Sequence, residues 1–202
     1  SKEDFSRSSY YKTNVKRESE KVRFKNYNDY LASLKMKTIF KKFKKEDINR
    51  ITQLVNKTNQ FNLTVKRLNL EEIVNISKHS NFLTIAGNLK DKFGDNGLVT
   101  IFIGKIKKQT IDIVVWLMSC RVFNRNLEFA LFDYLISQCK NKGISTICGN
   151  YIKNKKNFIV KDFYKTLGFN KVKSNKTEGK WEYKITNKYV KKNKIIKIIN
   201  EK

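Results

Sequence analysis

The chain has 202 residues, 40% of them apolar, enough to bury one ordinary core and to exclude wholesale disorder. Lys and Arg number 44 against 18 Asp and Glu, a formal charge of +26. Lys outnumbers Arg 37 to 7 and Pro is absent, the bias of an AT-rich coding sequence, so most lysines read as solvated faces. No helix-turn-helix, zinc-finger or aromatic single-strand signature accompanies them, and no nucleic-acid partner is expected. A basic surface still suits an acidic protein or a phosphorylated ligand through electrostatic steering. Cys120, Cys139 and Cys148 are odd in number and lack paired spacing. That points to a reducing compartment, with neither a disulfide framework nor a zinc site. No apolar run approaches the ~18 residues of a membrane span and no secretory segment is evident, so a cytoplasmic address with no membrane partner is expected. The chain begins with Ser rather than Met, which suggests a piece of a longer polypeptide.

In chain order, residues 1–35 read as a connector: a charged helix with apolar residues only at intervals, docking one stripe on a neighbour. A short strand follows over Lys37–Lys42, then a helix opened by Glu46-Asp47 and carrying Ile48, Ile51, Leu54 and Val55. Residues 58–64 are polar and aperiodic, a loop, and Leu70–Ser77 is a helix. Phe82–Leu89 is a strand, 93–97 a tight Asn-Gly turn, and Leu98–Ile106 with Thr110–Leu117 a hairpin. Leu127–Cys139 is an amphipathic helix stopped at Gly143. Ile144–Gly149 is a strand, Phe158–Leu167 a helix ended by Gly168, Trp181–Ile185 a last strand, and 188–202 a basic, frayed tail. Antiparallel strands followed by strand–helix–strand–helix–strand predict an α/β fold, a mixed sheet flanked by helices, over residues 36–187.

The candidate chemistry gathers between Trp116 and Phe169. A strand ending on a polar loop that opens a helix can converge backbone N–H groups on an anion. Cys120 stands at that strand end beside Arg121, a setting that favours thiolate and makes it a candidate acyl acceptor, the alternative being a small buried packing residue. Cys139 and Cys148 read as packing residues and His79 as a surface residue. Asn59, Gln60, Asn62 and Arg67 form a second polar cluster, either a substrate-binding wall or simple loop capping. Tyr164 is either a proton donor or part of the core face of its helix.

These residues, in this order, resemble the GNAT acetyltransferase superfamily. Its pyrophosphate loop runs Gln/Arg-x-x-Gly-x-Gly/Ala, and here Arg121-Val122-Phe123-Asn124-Arg125-Asn126 keeps the Arg and replaces both glycines with asparagine. Asparagine is the next-best residue at left-handed backbone angles, so the turn can survive. Asn157, Val160, Tyr164 and Leu167-Gly168-Phe169 are similar to the Asn-x-x-Ala-x-x-x-Tyr…Gly-Phe region. The resemblance implies coenzyme A or a phosphopantetheine arm gripped where the sheet splays at 118–126, by Arg121, Val122, Asn124, Arg125, Asn126 and Asn157. It gives Tyr164 the protonation of the departing thiolate and the 59–67 cluster the acceptor pocket. No metal is implied.

A narrower resemblance covers nearly the whole chain. Residues 11–14, Tyr30-Leu31-Ala32-Ser33-Leu34, Thr58 to Thr64 with Arg67, Phe93-Gly94-Asp95…Gly97-Leu98-Val99, Trp116 to Val122 and Asn157…Val160-Lys161-Asp162-Phe163-Tyr164 together look like the C-terminal half of FkbH-like proteins. Those join a HAD-type phosphatase domain to a GNAT-like one and place a glyceryl group on an acyl carrier protein. The resemblance implies such an acyltransferase here, with an acyl carrier protein as partner and the HAD half missing from this chain. Two alternatives stand beside it: a non-catalytic carrier-docking module and a stand-alone N-acetyltransferase of a small amine.

Overall fold

A computed structural model of the chain describes residues 13–199. The first twelve residues of the expected connector, Tyr11 among them, and the last three of the expected tail lie outside the described residues.

The sheet grows from three long strands, β4 (Phe82–Asp91), β5 (Gly94–Lys107) and β6 (Thr110–Met118), which pair antiparallel in sequence order. Period-two alternation divides their side chains between two apolar clusters. Phe102 and Trp116 enter one; Ile101, Ile103, Val115 and Leu117 enter the other. The second cluster is closed by α3 (Ile48–Lys57) and α4 (Leu70–Lys78). A capping box holds the start of α4: the Glu72 N–H donates to Asn69 Oδ1 at 2.8 Å and the Asn69 N–H donates to Glu72 Oε2 at 2.7 Å. The first cluster is closed by α2 (Tyr27–Ser33), α5 (Leu127–Asn141) and α6 (Phe163–Thr166). Beyond β6 the sheet continues through β7 (Thr146–Ile152), parallel to β6, then β9 (Glu178–Lys184) and the edge strand β8 (Asn170–Ser174).

Both ends of the described chain belong to this fold and not to appendages. A helix over residues 13–21 (α1) sends Arg17 to Asp91 through two hydrogen bonds, of 2.8 and 3.0 Å. Tyr30, Leu31 and Leu34 are buried in the main core, so the expected connector is a wall of the domain. The expected single strand at 37–42 is two short ones, β1 (Lys37–Thr38) and β2 (Phe40–Lys41), both paired with β4. The expected frayed tail is anchored. Asp133 of α5 accepts from the Tyr189 hydroxyl and from the Lys192 and Asn193 N–H groups; Ile196 is buried, and β10 (Lys197–Ile198) pairs with β1. A carboxylate taking three donors at a helix flank outweighs the low hydrophobicity that makes 188–199 look loose in sequence.

The feature that positions everything else is the junction of β6 and β7. Their parallel pairing stops at Asp112 and Cys148, although both strands run on. The expected loop 58–64 enters the gap as β3 (Phe61–Asn62), pairing with Met118 and Leu117 of β6. The Leu63 N–H donates to the Trp116 carbonyl (3.3 Å), and its own carbonyl accepts from the Ile152 N–H of β7 (2.9 Å). The sheet splays as expected, and a piece of the chain lies across the opening.

Candidate functional site

Beside that bridge a cleft of about 210 Å³ opens between the 119–126 turn, the first turn of α5 and α6. Phe61, Met118, Phe123, Phe129 and Phe163 give it apolar walls, and Glu128 and Asp162 its charged groups. Phe61 and Phe163 meet edge to face at 5.0 Å, and Phe163 meets Trp116 likewise at 4.9 Å, so the floor is close-packed and continuous with the core.

The turn keeps the backbone its resemblance implies. Ser119 caps a short 3-10 turn over Cys120–Val122, and Asn124 and Asn126 both adopt left-handed angles, φ 59° and 62°. Its side chains are used otherwise than expected. Arg125, expected on phosphate, is buried and donates to Asp91 Oδ2 at 3.1 Å, sharing that carboxylate with Arg17. Asp91 also accepts from the Phe93 and Gly94 N–H groups, so one buried carboxylate ties α1, the β4–β5 turn and this loop together. The Asn124 carbonyl accepts from the Tyr27 hydroxyl at 2.8 Å. Val122 is wholly buried as a core residue. Arg121 is half-buried, and Cys120 is exposed, which removes the packing alternative for that thiol.

The 59–67 cluster does assemble, but its polarity is turned on backbone. Arg67 donates to the carbonyls of Val55 (2.6 Å) and Thr58 (3.0 Å) and to Asn59 Oδ1, stapling the end of α3 to the loop. Asn62 is buried; it donates to the Thr58 carbonyl and accepts from the Val65 N–H, which holds Val65 at φ 56°. Gln60 is exposed. Three of these four residues therefore shape the loop that delivers Phe61–Leu63 into the sheet opening; Gln60 and Arg67 are both exposed, but Arg67 turns its guanidinium back on the loop.

Asn157, expected on the cofactor, is the clasp of the same bridge. Fully buried, it donates through Nδ2 to the carbonyls of Asn62 (3.0 Å) and Ile152 (2.8 Å) and accepts on Oδ1 from the Asn154 N–H (2.9 Å) and the Tyr151 hydroxyl (3.3 Å). Both donors of its side-chain amide and both lone pairs of Oδ1 are committed to protein. Tyr164, expected above the cleft, faces the core at 1% exposure, and its hydroxyl donates to the Asn150 carbonyl at 3.3 Å. Its ring lies on Gly149, where a Cβ would come within 2.4 Å of it. Burial pushes this phenol far above the usual tyrosine range, and the cleft is walled by its neighbour Phe163 instead. The expected helix 158–167 is broken into a 3-10 turn (Phe158–Val160) and the short α6, which is what turns Tyr164 inward.

Sequence reasoning passed over Glu128. It sits in the first turn of α5, its Oε2 is shielded from solvent, and no protein donor reaches that atom. Desolvation raises its pKa above the usual carboxylate value, partly offset by a hydrogen bond from its own backbone N–H. An acidic residue directly after a loop expected to hold phosphate was the available signal, since a carboxylate occupies the positive end of the helix that an anion would otherwise use. Of the remaining cysteines, Cys139 is buried and its thiol pushed up to about 12, and Cys148 is half-buried and raised by burial, as packing residues should be. No group of three or more His, Cys, Asp or Glu among the described residues could hold a metal, and no described helix is long and apolar enough to cross a membrane.

No family model matches this sequence, and no curated protein matches it. Solved structures do. The PaiA N-acetyltransferase of Thermoplasma acidophilum, in complex with coenzyme A, superposes with a TM-score of 0.59 at 14% identity, over 73% of this chain and 98% of that one. Ard1 of Thermoplasma volcanium gives 0.57 at 12% identity, over 74% and 99%. An N-acetyltransferase of Staphylococcus aureus gives 0.52 at 15% identity, over 73% and 97%. The chain therefore has the GNAT acetyltransferase fold, a mixed α/β sheet flanked by helices.

Proposed function

We propose that this domain is an acyltransferase that handles an acyl group held as a thioester on a pantetheine arm. From the block-wise resemblance to FkbH-like proteins, the group is a three-carbon, glyceryl-type acyl and its destination an acyl carrier protein. The observation that carries the reading is the aromatic cleft at the C-terminal end of β6, beside the splay of a GNAT sheet. Its walls match the methylenes and methyls of an uncharged arm. The turn does not match a pyrophosphate: Arg125 is spent on Asp91, and Glu128 stands at the helix end where phosphate would need to be neutralised. An arm presented by a protein therefore suits the site better than free coenzyme A. The net charge of +26 favours encounter with an acidic carrier. Cys120, exposed on the turn whose Phe123 walls the cleft, is the proposed transit thiol. Its sulfur would attack the donor carbonyl, expel the donor thiol and later yield the acyl group to the acceptor thiol.

The test is transfer between two carrier proteins of different mass. A glyceryl-loaded donor carrier, a holo acceptor carrier and this protein are mixed and followed by intact-mass spectrometry. The acceptor should gain the glyceryl mass, and Cys120→Ser should abolish both that gain and any adduct on this protein. No gain with the folded wild type defeats the reading. A second reading, a carrier-docking module without chemistry, is favoured by the β3 bridge across the sheet opening. It predicts carrier binding by calorimetry with no transfer.

A further inference from the structure

The lysine excess is not spread evenly around α6. The cleft on one side of that helix has no basic side chain, whereas a groove of about 620 Å³ on its other side, against the β8–β9 hairpin, is rich in them. Lys153, Lys161, Lys165, Lys171 and Lys176 line this groove against two acids, Asp162 and Glu178. Residues 153–165 alone hold five lysines and one acid, a net +4, where the chain-wide +26 spread evenly would leave about +2. None of the groove's five ammonium groups pairs with a carboxylate among the described residues. Among these lysines in sequence stand Phe158 and Ile159, 56% and 59% exposed on their 3-10 turn. The Lys161 ammonium joins them to the groove, lying 4.3 Å from the centroid of the Phe158 ring. Neighbouring apolar side chains left in water and rimmed by polar ones mark a surface that another molecule covers.

We infer that the groove between α6 and the β8–β9 hairpin, with Phe158 and Ile159 at its border, is a docking surface for an acidic helix of a partner protein. The partner is the carrier of the acyl-transfer reading, and its identity rests on that reading. Exposed lysines on flexible stems are point charges that adapt to several carboxylates, whereas a single phosphate is better met by the fixed fork of an arginine. Single-stranded nucleic acid needs open aromatic faces, and here a lysine already lies over each ring, Lys161 over Phe158 and Lys171 over Trp181. A membrane surface calls for a projecting apolar face, but this is a concavity able to receive the ridge of a helix. Carboxylates on that helix would meet Lys153, Lys161 and Lys165 while an apolar side chain covers Phe158 and Ile159. Ile159 also lines the acyl cleft, so a carrier docked here stands at the mouth of the cleft.

The test uses an apo acyl carrier protein, which has no arm and cannot take part in transfer, so docking and chemistry fail separately. Surface plasmon resonance measures its binding to the wild type, to Lys161→Glu with Lys165→Glu, to Phe158→Ser, and to Lys78→Glu with Lys105→Glu. Lys78 on α4 and Lys105 on β5 are exposed and lie outside the groove, so that last pair changes the net charge equally and serves as the control. Every substituted side chain is exposed, and circular dichroism verifies that each variant keeps its fold. Charge reversal in the groove should weaken binding by about tenfold or more, chiefly through slower association. The control should cost less than about twofold. Phe158→Ser should weaken binding by about tenfold through faster dissociation. The inference is overturned if the apo carrier does not bind the wild type, or if the control weakens binding as much as the groove variant. It is also overturned if vesicles of equal parts phosphatidylglycerol and phosphatidylcholine bind, and reversal in the groove abolishes that binding while leaving the carrier's unchanged. Groove-dependent docking without transfer to a holo acceptor would remove the acyl-transfer reading and keep this surface. Transfer at the full rate by the groove variant would keep that reading and remove this one.

Discussion

Removing the Asn157 side chain tests whether the sheet opening is held closed by one amide. In Asn157→Ala the carbonyls of Asn62 and Ile152 lose their donor and the Asn154 N–H loses its acceptor. Asn157 is fully buried, so two of these groups are left in a region that water reaches poorly. At roughly 1–3 kcal/mol for each orphaned buried group, less what relaxation recovers, the loss comes to about 3 kcal/mol. For a domain of this size that corresponds to a fall of roughly 6–12 °C in the melting midpoint. Circular dichroism melts measure the total, and amide hydrogen exchange locates it. The Leu63 and Ile152 N–H groups, which bond β3 to β6 and β7, should exchange faster relative to those of the central β4–β5 hairpin. Asn157→Asp keeps the shape and both acceptors but loses the Nδ2 donors, so it should reproduce most of the effect. A midpoint within about 2 °C of wild type, with Leu63 protection unchanged, would refute the assignment of Asn157 as the clasp.

Gly149→Ala should be among the most destabilising single substitutions in the chain, by about 3 kcal/mol or more, because its Cβ would meet the Tyr164 ring at 2.4 Å. Denaturant titration measures it, and Gly149→Ala combined with Tyr164→Leu should recover part of the loss. Tyr164→Phe should lower stability by about 1 kcal/mol through the lost bond to Asn150 and leave carrier-to-carrier transfer intact; loss of transfer in a folded Tyr164→Phe protein would return the phenol to the mechanism. Glu128 has a folded-state pKa above its ordinary 4.5, so the folded state binds the extra proton. Its contribution to stability is fully present below 4.5 and is lost as pH rises through the raised value. Glu128→Gln should therefore raise the melting midpoint at neutral pH, with the gain shrinking as pH falls towards 4.5; an equal gain at both pH values would contradict this.

The elements legible in the sequence were those whose burial pattern is local. β4, β5, β6, α3 and α5 are long, periodic and apolar on the faces that the structure buries. β8 was not legible: all five of its residues are exposed, and it is a strand only because β9 offers an edge. β3 and β10 are two residues each, too short to show a period, and exist through partners 55 and more residues away in the chain. The turn at Asn124 and Asn126 was legible because left-handed backbone selects a small set of residue types. The direction of the Arg125 side chain was not, since nothing near it in sequence announces Asp91.

From sequence alone came the order of the long strands and helices, the residues able to make the left-handed turn after β6, and the set of polar residues around the sheet opening. Those follow from periodicity and from the conformational preferences of single residue types, which act over a few bonds. Tertiary structure alone decided what each polar residue touches: Asn157 and the 59–67 cluster on backbone, Tyr164 on Gly149, Arg125 on Asp91, and Glu128 with an oxygen left over. Hydrogen-bonding capacity is a property of the side chain, but which partner fills it depends on the distance between segments far apart in the chain. Only the packed sheet sets that distance.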